Sequence, residues 1–244
     1  MFDHEGRKRT VFRKGEGPAV VVMHEVPGVS TEVLRFARKV VDAGFTVFLP
    51  HLFGVLGKPT NELTRVRELA KLCISREWHV LAENRSSPIA DWLRALARRA
   101  FQEIGGRGVG AVGMCVSGNF ALTMTLDDAV IAPVLAHPSF PLPVTRRKAA
   151  ALHVTPETLD NARRRIRDEG MRVLGVRFTG DVLFCPAARF DSLRRELGEG
   201  SKESKCLAAL PSRTPSHRTA CSPSASSTGR ESRLAMPLIG SSVS

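Results

Sequence analysis

The stretch VGAVGMCVSGNFALTMTL, residues 109–126, decides the fold. It opens with a short valine-rich run that is typical of a buried parallel strand. The run passes through Gly113-Met-Cys-Val-Ser-Gly118 into a segment that we predict to be helical from Asn119 to Leu126. A strand, a turn of small residues and a helix have the spacing of a nucleophile elbow, here with cysteine where serine is more common.

The elbow requires small neighbours because its nucleophile occupies a sharp, strained turn. Gly113 and Ser117 meet that requirement. The N-terminus of the following helix would favour the thiolate of Cys115, and the Val116 N–H would be available to an oxyanion. A buried, inert cysteine is the alternative, because cysteine is among the most buried residue types. The strand before the turn and the helix after it favour the elbow.

Strands and helices alternate along most of the chain. Short β-branched runs predict strands, and apolar residues at helical spacing predict the helices between them. This alternation predicts an α/β fold with a mostly parallel sheet covered by helices on both faces. The predicted strands are Ala19–Met23, Phe45–Leu49, Val109–Gly113, Ala129–Ala136 and Val173–Phe178; the predicted helices follow Ser30 and span Leu63–Ile74, Ile89–Ile104, Asn119–Leu126, Pro156–Glu169 and Ala187–Leu197.

Composition excludes several classes of protein. The 244 residues are 43% hydrophobic and 25% charged, which is ordinary for a globular chain, and no apolar run of transmembrane length occurs. The charged N-terminus lacks a secretory apolar segment, so we expect a cytoplasmic protein. The net charge of +12 raises nucleic acid as a partner, but the basic residues are scattered and aromatic residues are only 6%. We therefore expect neither a nucleic-acid nor a membrane partner.

Two further segments follow predicted strands. Because the carboxyl ends of parallel strands meet at one sheet edge, His24–Gly28 and Phe178–Asp181 are expected beside Cys115. The first can supply a second oxyanion donor and the second a carboxylate. In this type of site the histidine follows the acid in the chain, and His217 is the only histidine after Asp181.

Each of these residues has a simpler interpretation. Asp181 could be a turn residue after Gly180, and Glu25 a solvated loop acid. The remaining histidines lack metal-ligand spacing and are interpreted as structural, with His137-Pro138 lining the cleft. Cys185 is expected to pack, and no CxxC pair indicates a disulfide framework or a zinc site. The histidines in question are His51, His79, His137 and His153.

The chain resembles the dienelactone hydrolase family, the cysteine branch of the α/β-hydrolases, over residues 1 to about 198. Four segments in order, each at a strand end, carry the resemblance. They are His24-Glu-Val-Pro-Gly28, Leu49-Pro-His-Leu-Phe-Gly54, Gly113-Met-Cys-Val-Ser-Gly118 and Arg177-Phe-Thr-Gly-Asp181. Ser117 departs from the family, which often has glycine at this position.

The resemblance implies roles for individual residues. Cys115 would be the nucleophile, Asp181 the acid that orients the histidine, and Glu25 the partner of the resting thiol. The N–H groups of Val26 and Val116 would form the oxyanion hole. No metal or organic cofactor is implied.

The chain departs most from the family after Gly198. The family continues with a strand, a histidine-bearing loop and a helix, and none of these is recognisable in the sequence here. We predict an α/β-hydrolase domain over 1–198 and a disordered Ser/Arg/Pro-rich tail over 199–244, since apolar residues there are too few to pack. A shifted reading frame is one hypothesis for this composition. His217 is the candidate catalytic histidine, and no predicted strand precedes it in this tail.

Two functions follow from this interpretation. The first is hydrolysis of a small ester or lactone through Cys115, with the carboxylic ester hydrolase activity of the dienelactone hydrolases. The second belongs to a different class: a chain without its last strand, histidine loop and helix would be an inactive remnant that binds an acidic small molecule.

Overall fold

The computed structural model describes residues 1–57, 63–64, 66–68, 71, 87–139, 144–181 and 184–206. The strands are β1 (Phe2–His4), β2 (Arg7–Arg9), β3 (Val11–Lys14), β4 (Ala19–Met23), β5 (Gly28–Val29), β6 (Thr46–Pro50), β7 (Val55–Leu56), β8 (Val109–Met114), β9 (Val130–Ala136), β10 (Val173–Phe178) and β11 (Ser201–Cys206). The helices are α1 (Thr31–Asp42), α2 (Pro88–Ile104), α3 (Phe120–Thr123), α4 (Arg146–Ala150), α5 (Pro156–Glu169) and α6 (Ala187–Leu197).

Seven strands form the central sheet, in the order β11-β10-β9-β8-β4-β6-β3. All neighbouring pairs are parallel except β3 with β6, which is antiparallel. The prediction of a mostly parallel α/β sheet is therefore confirmed. The arrangement brings the carboxyl ends of β4, β8, β9 and β10 to one edge, side by side.

The sheet buries an apolar cluster on each face. On β4, Val21 and Met23 pack into the larger cluster with α2, whereas Val20 and Val22 pack against α1 on the opposite face. Every residue of β4 is buried, as its continuous apolar run predicts for a central strand covered on both sides. Trp92 of α2 is fully buried and donates its indole N–H to the Arg7 carbonyl, 2.8 Å away.

The predicted elements are present with local differences. The predicted helix Asn119–Leu126 is a short α-helix, Phe120–Thr123, followed by a 3-10 turn, Met124–Leu126. The short strands at the N-terminus were not predicted, because three or four residues give too little alternation to detect. The described residues of the predicted helix Leu63–Ile74 are helical, and the remainder lies outside the described residues.

The structure differs from the sequence interpretation after Gly198, because β11 follows α6 and pairs in parallel with β10. This strand was missed since its sequence, SKESKC, is polar. Charged side chains suit an edge strand, where they discourage pairing with other chains. The disorder predicted for the rest of the tail concerns residues 207–244, which lie outside the described residues. His217 is one of them.

Within the part of the chain that the structure describes, no helix has both the length and the apolar character needed to cross a bilayer.

Candidate active site

Cys115 lies directly after β8, where the chain turns towards α3. Its φ is +54°, in the left-handed region that a residue with a side chain rarely adopts. Such strain persists where the surrounding structure enforces it, and it is concentrated at functional sites. Cys115 is half-buried, unlike the fully buried Cys185. The conformation agrees with the predicted elbow.

Two glycines allow this turn to close. A Cβ atom on Gly113 would lie 2.4 Å from the Ser117 carbonyl oxygen, and one on Gly118 would lie 2.7 Å from Cα of Pro138. Both neighbouring atoms belong to the backbone, so they could not move away cheaply. Glycine at these positions is therefore a steric requirement, which the sequence predicts for Gly113.

Ser117 joins the turn to the end of β4. Its side chain is fully buried, and its Oγ accepts the Met114 N–H at 3.0 Å. The same oxygen lies 3.0 Å from the Met23 carbonyl oxygen and 2.9 Å from that of His24, so the hydroxyl can donate to either. A glycine here would leave these polar groups without that partner. Ser117, which replaces the glycine often found in the family, therefore makes structural contacts.

The loop after β4 is organised around His24. The Leu52 N–H donates to His24 Nε2 at 2.9 Å, so the ring proton is on Nδ1 and is donated to the Glu25 carbonyl at 2.9 Å. Burial lowers the pKa of His24 from 6.5 to about 3, so the ring is neutral at pH 7. The Gly28 N–H also donates to the Glu25 carbonyl at 2.9 Å. Val26 is held between these contacts.

Ser139, three residues beyond β9, contacts the cysteine directly. Its Oγ lies 2.8 Å from Cys115 Sγ, and its N–H donates to the Cys115 carbonyl at 3.1 Å. Ser139 is only 3% exposed, so this contact lies within the protein interior. A hydroxyl facing the sulfur favours the thiolate, because a hydrogen bond to a charged acceptor is stronger than one to a neutral group.

His137 and Asp181 form a second pair at the same edge. Nε2 of His137 lies 2.6 Å from Oδ2 of Asp181, although the two residues are 44 positions apart in the chain. The other carboxylate oxygen, Oδ1, accepts the Phe184 N–H at 2.8 Å. Burial lowers the pKa of His137 below its ordinary value of 6.5, although the carboxylate of Asp181 acts in the opposite direction. Burial therefore favours the neutral imidazole.

The buried guanidinium of Arg189 binds the segment that follows β9. Arg189 of α6 is 1% exposed, and its Nη1 donates to the Pro138 carbonyl at 2.6 Å. Its Nη2 donates to the Lys148 carbonyl at 3.2 Å. Nearby, Cys185 is fully buried, and burial raises the pKa of its thiol to about 12. Cys185 is thus a packed, unreactive thiol, as the sequence predicts.

The structure brings most of the predicted site residues to one sheet edge. Cys115, Val116, Val26 and Asp181 follow β8, β4 and β10, and Glu25 shares the β4 loop in a half-buried position. Their roles stay predictions, including the pairing of Glu25 with the thiol. His217 lies outside the described residues.

Sequence reasoning missed Ser139 and the contact of His137 with Asp181. The segment His137-Pro-Ser139 follows a predicted strand, which is the signal that could have marked it. The missing information was the strand order, because only the sheet places β9 between β8 and β10.

The model of the dienelactone hydrolase family matches residues 8–156. This match includes the β4 loop, the turn at Cys115 and the segment 137–139. No curated protein is significantly similar to the chain in sequence.

Solved structures share the fold at low sequence identity. A protein of Klebsiella pneumoniae subsp. pneumoniae assigned as a dienelactone hydrolase is 19% identical with a TM-score of 0.54, over 82% of this chain and 80% of that one. A cold-adapted esterase from an Arctic intertidal metagenomic library is 14% identical with a TM-score of 0.53, over 85% and 83%. The thioesterase domain of the curacin biosynthetic pathway is 11% identical with a TM-score of 0.52, over 85% and 91%. The common feature is an α/β-hydrolase fold.

Proposed function

Because the chain belongs to the dienelactone hydrolase family, we propose that this hydrolase cleaves a small ester or lactone with Cys115 as its nucleophile. The observation that carries the proposal is the position of Cys115. It sits in a left-handed turn at the end of a central parallel strand, half-buried, with a hydroxyl 2.8 Å from its sulfur.

The proposed reaction proceeds by acyl transfer. The sulfur of Cys115 attacks the carbonyl carbon, a C–S bond forms, and the carbonyl π electrons move to oxygen. The N–H groups of Val26 and Val116 stabilise that oxyanion. Collapse expels the alkoxide, which takes up a proton, and leaves a thioester on the enzyme. Water then attacks the thioester, and the acid is released with the thiol restored.

The oxyanion hole has structural support from Ser117. This residue contacts both the turn that bears Val116 and the end of β4, from which Val26 follows. The two proposed donors therefore belong to segments held together by one buried hydroxyl. Preorganised donors of this kind stabilise developing charge without having to reorganise during the reaction.

Hydrolysis of p-nitrophenyl acetate by the purified chain tests the proposal. We expect Cys115→Ala to lower kcat/KM by at least about 10³-fold, because a lost nucleophile removes the covalent route. Cys185→Ala is the matched control and should retain turnover, since its thiol is buried with a pKa of about 12. Iodoacetamide should likewise modify Cys115 and spare Cys185, as peptide mapping would show.

The opposite results would contradict the proposal. Undiminished turnover in Cys115→Ala would exclude this cysteine as the nucleophile. A chain without turnover, whose melting temperature rises with acidic small molecules, would support the binding role instead.

A further inference from the structure

We propose that His137, paired with Asp181, is the acid–base histidine that serves Cys115 in this chain. The inference rests on the proposed role of Cys115 as nucleophile. It assigns the proton transfer to a residue that precedes the acid in the chain, whereas the usual chain order of such sites predicts His217.

The sheet places His137 next to Cys115. In the parallel pair β8 and β9, Met114 is the partner of Ala136, and these are the last residues of their strands. The residues that follow are Cys115 and His137, and each adopts a left-handed conformation, with φ of +54° and +55°. Neighbouring strands lie about 4.8 Å apart, so the two backbones leave the sheet side by side.

The segment that bears His137 is held against the cysteine. Ser139 contacts both the sulfur and the carbonyl oxygen of Cys115, at 2.8 and 3.1 Å. On the other side, the His137 N–H donates to the Val176 carbonyl at 2.6 Å, and Arg189 binds the Pro138 carbonyl. The histidine is thus fixed between the strand of the nucleophile and the strand of the acid.

The contact with Asp181 determines which nitrogen can act as a base. Facing a carboxylate at 2.6 Å, Nε2 carries the ring proton and donates it, which leaves the lone pair on Nδ1. Nδ1 is buried and has no hydrogen-bond partner among the described residues. A buried acceptor without a hydrogen-bond partner is rare in proteins. Here the acceptor is Nδ1 of His137, a nitrogen that can take up a proton.

Burial keeps this histidine in its base form. The pKa of His137 lies below 6.5 mainly because the ring is removed from water. Arg177 and Arg189 face it and also disfavour its protonation, whereas Asp181 favours it. Burial thus favours the neutral ring, which is the form that can accept a proton.

Nδ1 of His137 has no hydrogen-bond partner among the described residues, the sulfur of Cys115 included, so the proposed transfer requires the ring and the sulfur to approach each other when substrate binds. As the sulfur attacks, the S–H bond of Cys115 breaks and an N–H bond forms at Nδ1 of His137, which gives an imidazolium beside the carboxylate of Asp181. The imidazolium then donates that proton to the leaving alkoxide. In the second step Nδ1 accepts a proton from the attacking water, and the thiolate recovers it when the acid leaves.

The pH dependence of Cys115 alkylation by iodoacetamide tests the assignment without requiring turnover. An imidazole that accepts the thiol proton accelerates alkylation at pH 7 relative to an ordinary thiol of pKa about 8.5. We expect His137→Gln to slow alkylation of Cys115 at pH 7 at least about tenfold and to shift its midpoint towards that value. His4→Gln, on the N-terminal hairpin, is the matched control and should behave as the wild type.

Turnover of p-nitrophenyl acetate gives a second readout. We expect His137→Gln to lower kcat about 10²–10⁴-fold and to remove the fall of kcat at acid pH that we expect of the wild type. Added imidazole should restore part of the activity of His137→Gly, which loss of a structural contact would not allow. Asp181→Asn should lower kcat as well. The double variant with His137→Gln should lose little more kcat than His137→Gln alone.

Three results would overturn the inference. These are unchanged alkylation and turnover in His137→Gln, no effect of imidazole on His137→Gly, or losses that appear in His217→Gln instead. Turnover that survives Cys115→Ala is a separate outcome: it would contradict the proposed nucleophile, and with it the proton transfer assigned here.

Discussion

Ser117 shows how one buried hydroxyl can organise a site. Its oxygen accepts one N–H and lies within 3.0 Å of two carbonyl oxygens on a neighbouring strand end. The turn of the nucleophile and the loop of Val26 therefore share one hydrogen-bonding centre. This contact depends on a side chain that the resembled family often lacks.

We expect Ser117→Ala to destabilise the fold by about 1–3 kcal/mol, because it leaves buried polar groups without a partner. Turnover should fall in the same variant, since the Val26 loop loses its tie to the turn. Urea unfolding monitored by circular dichroism would measure the change. Ser204→Ala, at an exposed position of β11, is the control. Equal stability of the two variants would contradict this role of the hydroxyl.

The polar sequence of strand β11 does not indicate how the strand packs. Glu203 has a side chain only 8% exposed, and it pairs with Arg177 of β10 at 2.8 Å and with Arg194 of α6. The strand is thereby joined both to the sheet and to the helix that covers it. These ion pairs replace the apolar contacts that a sequence pattern would normally reveal.

We expect Glu203→Gln to destabilise the fold by about 3 kcal/mol, because it leaves the largely buried guanidinium of Arg177 without its carboxylate. Glu199→Gln, at an exposed position nearby, should change stability by less than about 0.5 kcal/mol. Thermal melting of both variants would test the difference. An unchanged melting temperature in Glu203→Gln would show that β11 adds little to the stability of the sheet.

At the scale of the whole molecule, stability depends on pH through a buried neutral histidine. His24 has a pKa of about 3 in the fold and about 6.5 when the chain is unfolded. Below pH 6.5 the unfolded chain binds a proton that the folded chain excludes, so the free energy of unfolding falls as pH decreases. His137, whose pKa is also lowered, acts in the same direction.

We expect the free energy of unfolding to fall between pH 6.5 and pH 3 by up to about 1.4 kcal/mol per pH unit through His24 alone. Urea titrations at pH 7 and pH 5 would measure the slope. In His24→Asn, which retains a donor and an acceptor but does not titrate, the fall should be smaller. An identical slope in that variant would show that other groups govern the acid response.

The sequence by itself determined the local features of this protein. The runs of β4 and β10, the helix spacing of α2 and α5, and the small residues around Cys115 are set by interactions within a few positions along the chain. Propensity, capping and turn sterics act over that range, so the order of residue types in 109–118 is enough to predict the turn.

Only the tertiary structure decided which strand ends meet. Strand order depends on long-range pairing, which no local pattern records, and it places β9 between the strand of Cys115 and the strand of Asp181. From this follow the contact of Ser139 with the sulfur and the pairing of His137 with an acid 44 residues later. The polar strand β11 depends on the fold for the same reason, because its stabilising partners are arginines on other elements.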